Sequence, residues 1–92
     1  MKIPKEIAGK VSDYQELRKK ENTLYEEIKE WFEENTDLEG FYDPFITNKP
    51  TGEKQFDGEY CDQITLGEDW YKGTYYYPIE NSKQYVGLEF EI

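Results

Sequence analysis

The segment 70-WYKGTYYYPIENSKQYVGLEFEI-92 places two runs of strand-forming residues on either side of Asn81-Ser82, a turn dipeptide. A tight turn there sets Glu80 opposite Lys83 and Lys72 opposite Glu91, two opposite-charge pairs. The same register sets Tyr77 against Val86, Tyr75 against Leu88 and Tyr71 against Ile92. Tyr76 then falls across from Gly87 and Phe90 across from Gly73, so each glycine faces a ring able to cover it. A slip of one residue would turn every inward side chain outward. These cues agree on a hairpin of strands 70–79 and 84–92. Its core face carries Val86, Leu88, Phe90 and Ile92. Its opposite face carries Trp70, Lys72, Thr74, Tyr76, Tyr85, Glu89 and Glu91.

Upstream, turn signals at Lys49-Pro50-Thr51-Gly52, Asp57-Gly58 and Leu66-Gly67 bound two more strands, at 41–47 and 59–66. Pro44 demotes the first of them to an edge or bulged strand, because proline cannot donate to a ladder.

Before Gly40 the period is helical. Tyr14, Leu17, Leu24, Ile28 and Trp31 recur at helical steps, with Tyr25 and Phe32 widening the stripe and Glu21 interrupting it. Ser12 and Gln15 have the spacing of a capping box. The main helix is therefore expected at about 12–35. Ile3, Ile7 and Val11 allow a short helix before it, starting at Pro4, with a break near Gly9 and Ser12. The reading is α+β: an N-terminal helix packed on a three- to four-stranded antiparallel meander, in one domain spanning 1–92.

Composition narrows the function. The 92 residues include nine Tyr, five Phe and two Trp, so the core is built largely from rings. Eleven basic against twenty-one acidic side chains give a net charge of −10. That balance opposes direct nucleic-acid binding and docking on anionic membranes. The N-terminus has no apolar signal region, and no run approaches a membrane span. Cys61 has no partner for an internal disulfide, which fits a cytoplasmic protein.

Enzymatic readings lack parts. There is no histidine, and Glu59 and Asp62 beside Cys61 oppose a thiolate. A calcium loop counted from Asp57 needs glycine where Asp62 stands. Phosphate loops, serine elbows and zinc spacings are missing. No catalytic residue, metal or cofactor is expected.

Charge order is the most informative feature. Residues 1–20 hold six basic and three acidic side chains, a net +3, with Arg18-Lys19-Lys20 toward the start of the helix. Residues 21–92 hold five basic and eighteen acidic ones, a net −13. Glu26, Glu27, Glu30, Glu33 and Glu34, with only Lys29 among them, crowd the helix end, against the helix dipole. Rules broken locally tend to mark function, although charge runs more often form a solvated face.

These residues predict a non-enzymatic interaction module, in the sharpest form a small inhibitor of a basic nucleic-acid-binding protein. The partner-binding residues would be Glu26, Glu30, Glu33, Glu34, Asp57, Glu59, Asp62, Glu68 and Asp69, with Trp70 and Tyr76 as apolar anchors. Two alternatives stand beside it. One is a small domain binding a sugar or an aromatic molecule on the Tyr/Trp sheet face. The other is a structural homodimer closed by the same face or by a free C-terminal strand edge.

Overall fold

The computed structural model describes residues 1–17, 22–38 and 40–91. It is an α+β fold: two helices on one face of a five-stranded antiparallel sheet. The helices are α1 (Lys5–Leu17) and α2 (Asn22–Asn35). The strands are β1 (Phe41–Thr47), β2 (Glu53–Lys54), β3 (Tyr60–Thr65), β4 (Tyr71–Pro78) and β5 (Tyr85–Glu91), in the spatial order β1-β5-β4-β3-β2. The sheet has one more strand than the most the sequence suggested. β2 is two residues long, too short to leave a periodic signal. The chain is also more than a meander, since β1 crosses over to cover the outer edge of β5.

The hairpin has the expected register. Lys72, Gly73, Tyr75, Tyr76 and Tyr77 face Glu91, Phe90, Leu88, Gly87 and Val86. The Tyr71–Ile92 match lies outside the described residues. Neither expected ion pair closes within 4 Å; among the described residues, the cations in such pairs are Lys10 and the Met1 amino group. Glu80 turns its carboxylate toward the start of α1, where Oε1 accepts the Lys5 N–H at 3.1 Å. An acid at a helix N-terminus meets both the free N–H and the dipole. The cover on Gly87 also differs from expectation. Phe45, reaching over from β1, lies against its Cα, so a Cβ there would strike the ring. At Gly73 the close neighbour is the Asp62–Gln63 backbone.

The expected break near Gly9 and Ser12 is not there. α1 starts at Lys5 and runs through Gly9 and Ser12, so no capping box forms at Ser12. The Pro4 carbonyl accepts the Ala8 N–H at 3.0 Å, and proline's missing donor costs nothing at that position. Ile7, Val11 and Tyr14 are buried along one continuous stripe. That burial outweighs the ~1 kcal/mol cost of a mid-helix glycine. Glu21 and the Arg18-Lys19-Lys20 run lie outside the described residues. At the end of α2 Asn35 Nδ2 donates to the Trp31 carbonyl and Thr36 Oγ1 to that of Phe32, which also accepts the Thr36 N–H at 2.9 Å, so the side chains add second donors in the last turn.

The core lies between helices and sheet. Ile3, Val11, Ile28, Phe32, Val86 and Leu88 are fully buried. Phe32 packs edge-on against Phe41 and tilted against Tyr77. Tyr75 and Tyr77 point inward as predicted, with ring centroids 4.8 Å apart.

β1 is the edge that Pro44 foretold, with a register shift between Tyr42 and Phe45. Its outer rim is closed by the helices. Gln15 Oε1 accepts the Ile46 N–H at 3.0 Å, and the Tyr25 hydroxyl donates to the Phe41 carbonyl at 2.8 Å. A third bond, from the Tyr14 hydroxyl to Asp43 Oδ1 at 3.1 Å, holds the bulge.

Candidate functional site: the open face of the sheet

Both helices lie on one face of the sheet, which leaves the other to solvent. Alternation along the strands decides what that face displays. One cross-strand row is Phe45–Gly87–Tyr76–Tyr60. Its rings close on themselves: Phe45 meets Tyr76 edge-on at 6.2 Å, and Tyr60 meets Tyr85 edge-on at 5.8 Å. The next rows are Tyr42–Glu89–Thr74–Asp62 and Glu91–Lys72–Ile64. Thr74 is short, with taller side chains on both sides. The result is a shallow concavity of about 390 Å³ that includes Tyr42, Asp62, Ile64, Lys72, Glu89 and Glu91.

Trp70 stands at the end of this surface, 50 % exposed, and its indole N–H donates to Glu91 Oε1 at 3.0 Å. Tyr42 and Ile64 are exposed by 55 % and 56 %. Three carboxylates thus share the concavity with one ammonium, bordered by three large exposed apolar groups. Glu68 and Asp69 add charge from the β3–β4 turn beside Trp70.

The residues expected to bind a partner do not form one surface. Asp62 lines the open face and Trp70 reaches it through Glu91, with Glu68 and Asp69 exposed in the turn before Trp70. Tyr76 is on that face too but only 7 % exposed, because Phe45 and Thr51 close over it; the Thr51 and Tyr76 hydroxyl oxygens are 3.1 Å apart. Tyr76 is therefore a floor residue and no anchor. Asp57, exposed in the 3-10 turn Phe56–Gly58, has φ +58.

Glu59 turns inward. One carboxylate oxygen accepts the Tyr75 hydroxyl at 2.8 Å and the other lies 2.9 Å from the Met1 amino nitrogen. Its side chain, 13 % exposed, serves as an internal acceptor.

The acids of α2 lie on the opposite side of the molecule. Ile28 and Phe32 point into the core, so Glu26, Glu30, Glu33 and Glu34 spread over roughly 100° of the helix's outer surface. Glu30 and Glu34 also border an inter-helix groove with Glu27, Trp31, Glu6 and Lys10, where Lys10 Nζ pairs with Glu27 at 3.2 Å.

Sequence reasoning missed Tyr42, Ile64, Glu89 and Glu91 as site residues. Glu89 and Glu91 were already placed on the face opposite the helix bed; they were not singled out because nothing in the sequence showed that Tyr42 and Ile64 join them around one concavity.

Cys61 lies across from Tyr75, on the helix side of the sheet. Burial pushes the Cys61 thiol pKa up, and Asp62 and Glu53 push it further, which holds the sulfur protonated. Among the described residues, no group of three or more His, Cys, Asp or Glu side chains gathers as a metal site. No helix among them is long and apolar enough to cross a membrane.

Fold and face together define an acidic α+β protein with one sheet surface left uncovered. Compared with known protein families, curated proteins and solved structures, the chain matches none.

Proposed function

We propose that the chain is a non-enzymatic interaction module that docks its open sheet face on a basic protein. One observation carries this reading: Asp62, Glu89 and Glu91 surround a concavity with Lys72 as its sole cation, and Tyr42, Ile64 and Trp70 stand exposed at its border. Such a surface attracts cations over distance and supplies apolar area on contact. In its sharpest form the partner is a nucleic-acid-binding protein whose phosphate sites the carboxylates occupy. Steering by charge would make association fast and strongly salt-dependent.

The α2 acids contribute to the long-range field from the far side without entering the contact. The test is affinity capture from host lysate at low and high salt, with mass spectrometry of what is retained. Partners held by the wild type should be lost with E89Q/E91Q/W70A and kept with E26Q/E30Q/E33Q/E34Q. The reverse pattern would move the site to α2, and equal retention by both variants would remove the role of the carboxylates.

A further inference from the structure

We infer that the free edge of β3 takes up an extended, cationic segment of the partner as an added strand. This deepens the docking role proposed for the adjoining face and rests on it.

Hydrogen-bond parity along β3 identifies the free groups. The Leu66 N–H donates to the Trp70 carbonyl at 2.7 Å. Pairs of the same parity, Ile64–Lys72 and Asp62–Thr74, are therefore the bonded ones, and Gln63 and Thr65 direct their N–H and C=O away from β4. β2 reaches only Tyr60 and Cys61. Past Glu53 the chain passes through Gly52, whose φ is +86 and which lies close against Cys61 and Asp62, and Thr51 Oγ1 donates to Asp62 Oδ2 at 2.6 Å. Gln63 and Thr65, past the reach of β2 and Gly52, thus present two N–H and two C=O groups at the rim, and residues 62–65 are all exposed.

The contrast with β1 is specific. That edge carries a proline, a bulge and two helix side chains that occupy its backbone groups, the usual means of blocking edge pairing. None of these devices guards β3.

Charge selects the occupant. Within residues 53–69 six acids and Lys54 sum to a net −5; the Met1 amino group pairs with Asp57 and Glu59, which leaves Glu53, Asp62, Glu68 and Asp69 to meet a partner. A second copy would bring the same acids to the same place. A Lys- or Arg-bearing strand would meet Asp62 on the open face, an apolar residue two positions away would meet Ile64, and a further cation would reach Glu68 and Asp69. Strand addition derives affinity from backbone bonds and specificity from such alternate side chains.

The test uses the full chain and the peptide acetyl-KTVTKTK-amide, read by fluorescence anisotropy and amide hydrogen exchange. Binding should slow exchange at Gln63 and Thr65. Thr65→Pro removes an outward donor that the sheet does not use, so it should weaken binding at least tenfold with the fold intact by circular dichroism. N-methylation of the peptide's second and fourth residues should act likewise on wild type, a check that alters no residue of the protein.

Peptide binding that ignores Thr65→Pro and N-methylation would overturn strand addition, while the face reading would survive if E89Q/E91Q weakened it. Protection at Gln63 and Thr65 that is indifferent to E89Q/E91Q would sustain strand addition and remove the face. No binding at all would overturn both. A dimer seen by light scattering and dissolved by Thr65→Pro would make a second copy the occupant and defeat the cationic assignment.

Discussion

The Trp70 indole N–H donates to Glu91 Oε1 at 3.0 Å, fastening the β3–β4 turn to the end of β5 across the open face. The bond holds the indole upright while leaving half its surface exposed, the posture of an interface anchor. Trp70→Ala should therefore weaken partner binding by tenfold or more while shifting Tm by only a few degrees. Titration calorimetry and a thermal melt on the same sample give both numbers. Loss of the fold together with binding would make the residue structural.

Two acid groups on opposite sides of one molecule invite comparison. On α2 the first turn has no acid and the last no base, so Glu33 and Glu34 oppose the dipole. Like charges four apart, Glu26–Glu30 and Glu30–Glu34, add a few tenths of a kcal/mol each. E26Q/E30Q/E33Q/E34Q should raise stability by about 1 kcal/mol, or a few degrees in Tm, with the gain shrinking at high salt. A drop in Tm would show that the carboxylates contribute contacts the fold needs.

The hairpin was legible because its register is over-determined: strand propensity, an Asn-Ser turn and the pairing of each glycine with a ring fixed one alignment independently. The charge pairs pointed to the correct register without forming, since Glu80 gains more at the α1 N-terminus than from Lys83. The helix boundary was illegible for the opposite reason. Ser12 satisfies a local capping rule, but the buried stripe Ile7–Val11–Tyr14 overrides it. The site was half legible. Alternation assigned Trp70, Glu89 and Glu91 to one face and the helix to the other, but only the packed structure shows Tyr42 and Ile64 joining that face and Phe45 folding over Tyr76.

Gly87 lies under the Phe45 ring, close enough that a Cβ would collide with its far edge. Gly87→Ala should destabilise by about 1–3 kcal/mol through this overpacking, and less in a Phe45→Ala background. Chemical denaturation of the four proteins completes the cycle. Equal costs in both backgrounds would place the strain in the backbone and not in the ring.

Alkaline pH should loosen the helix–sheet interface. Burial, then the bond to Asp43, pushes the Tyr14 pKa up to about 12. Burial likewise takes Tyr77 to about 12, with the nearby Thr36 hydroxyl acting the other way, and raises Tyr75, whose hydroxyl faces Glu59. An unfolded tyrosine ionises near pH 10. The folded state then holds protons that the unfolded chain has released, so stability is complete below about pH 10 and falls as pH rises toward 12. By pH 11 Tyr14 and Tyr77 should each withdraw roughly 1.4 kcal/mol. Urea midpoints from pH 8 to 11.5 give the slope, and Tyr14→Phe, which cannot ionise, should flatten it. An unchanged slope in that variant would mean that Tyr14 ionises in the folded protein as readily as in the unfolded chain.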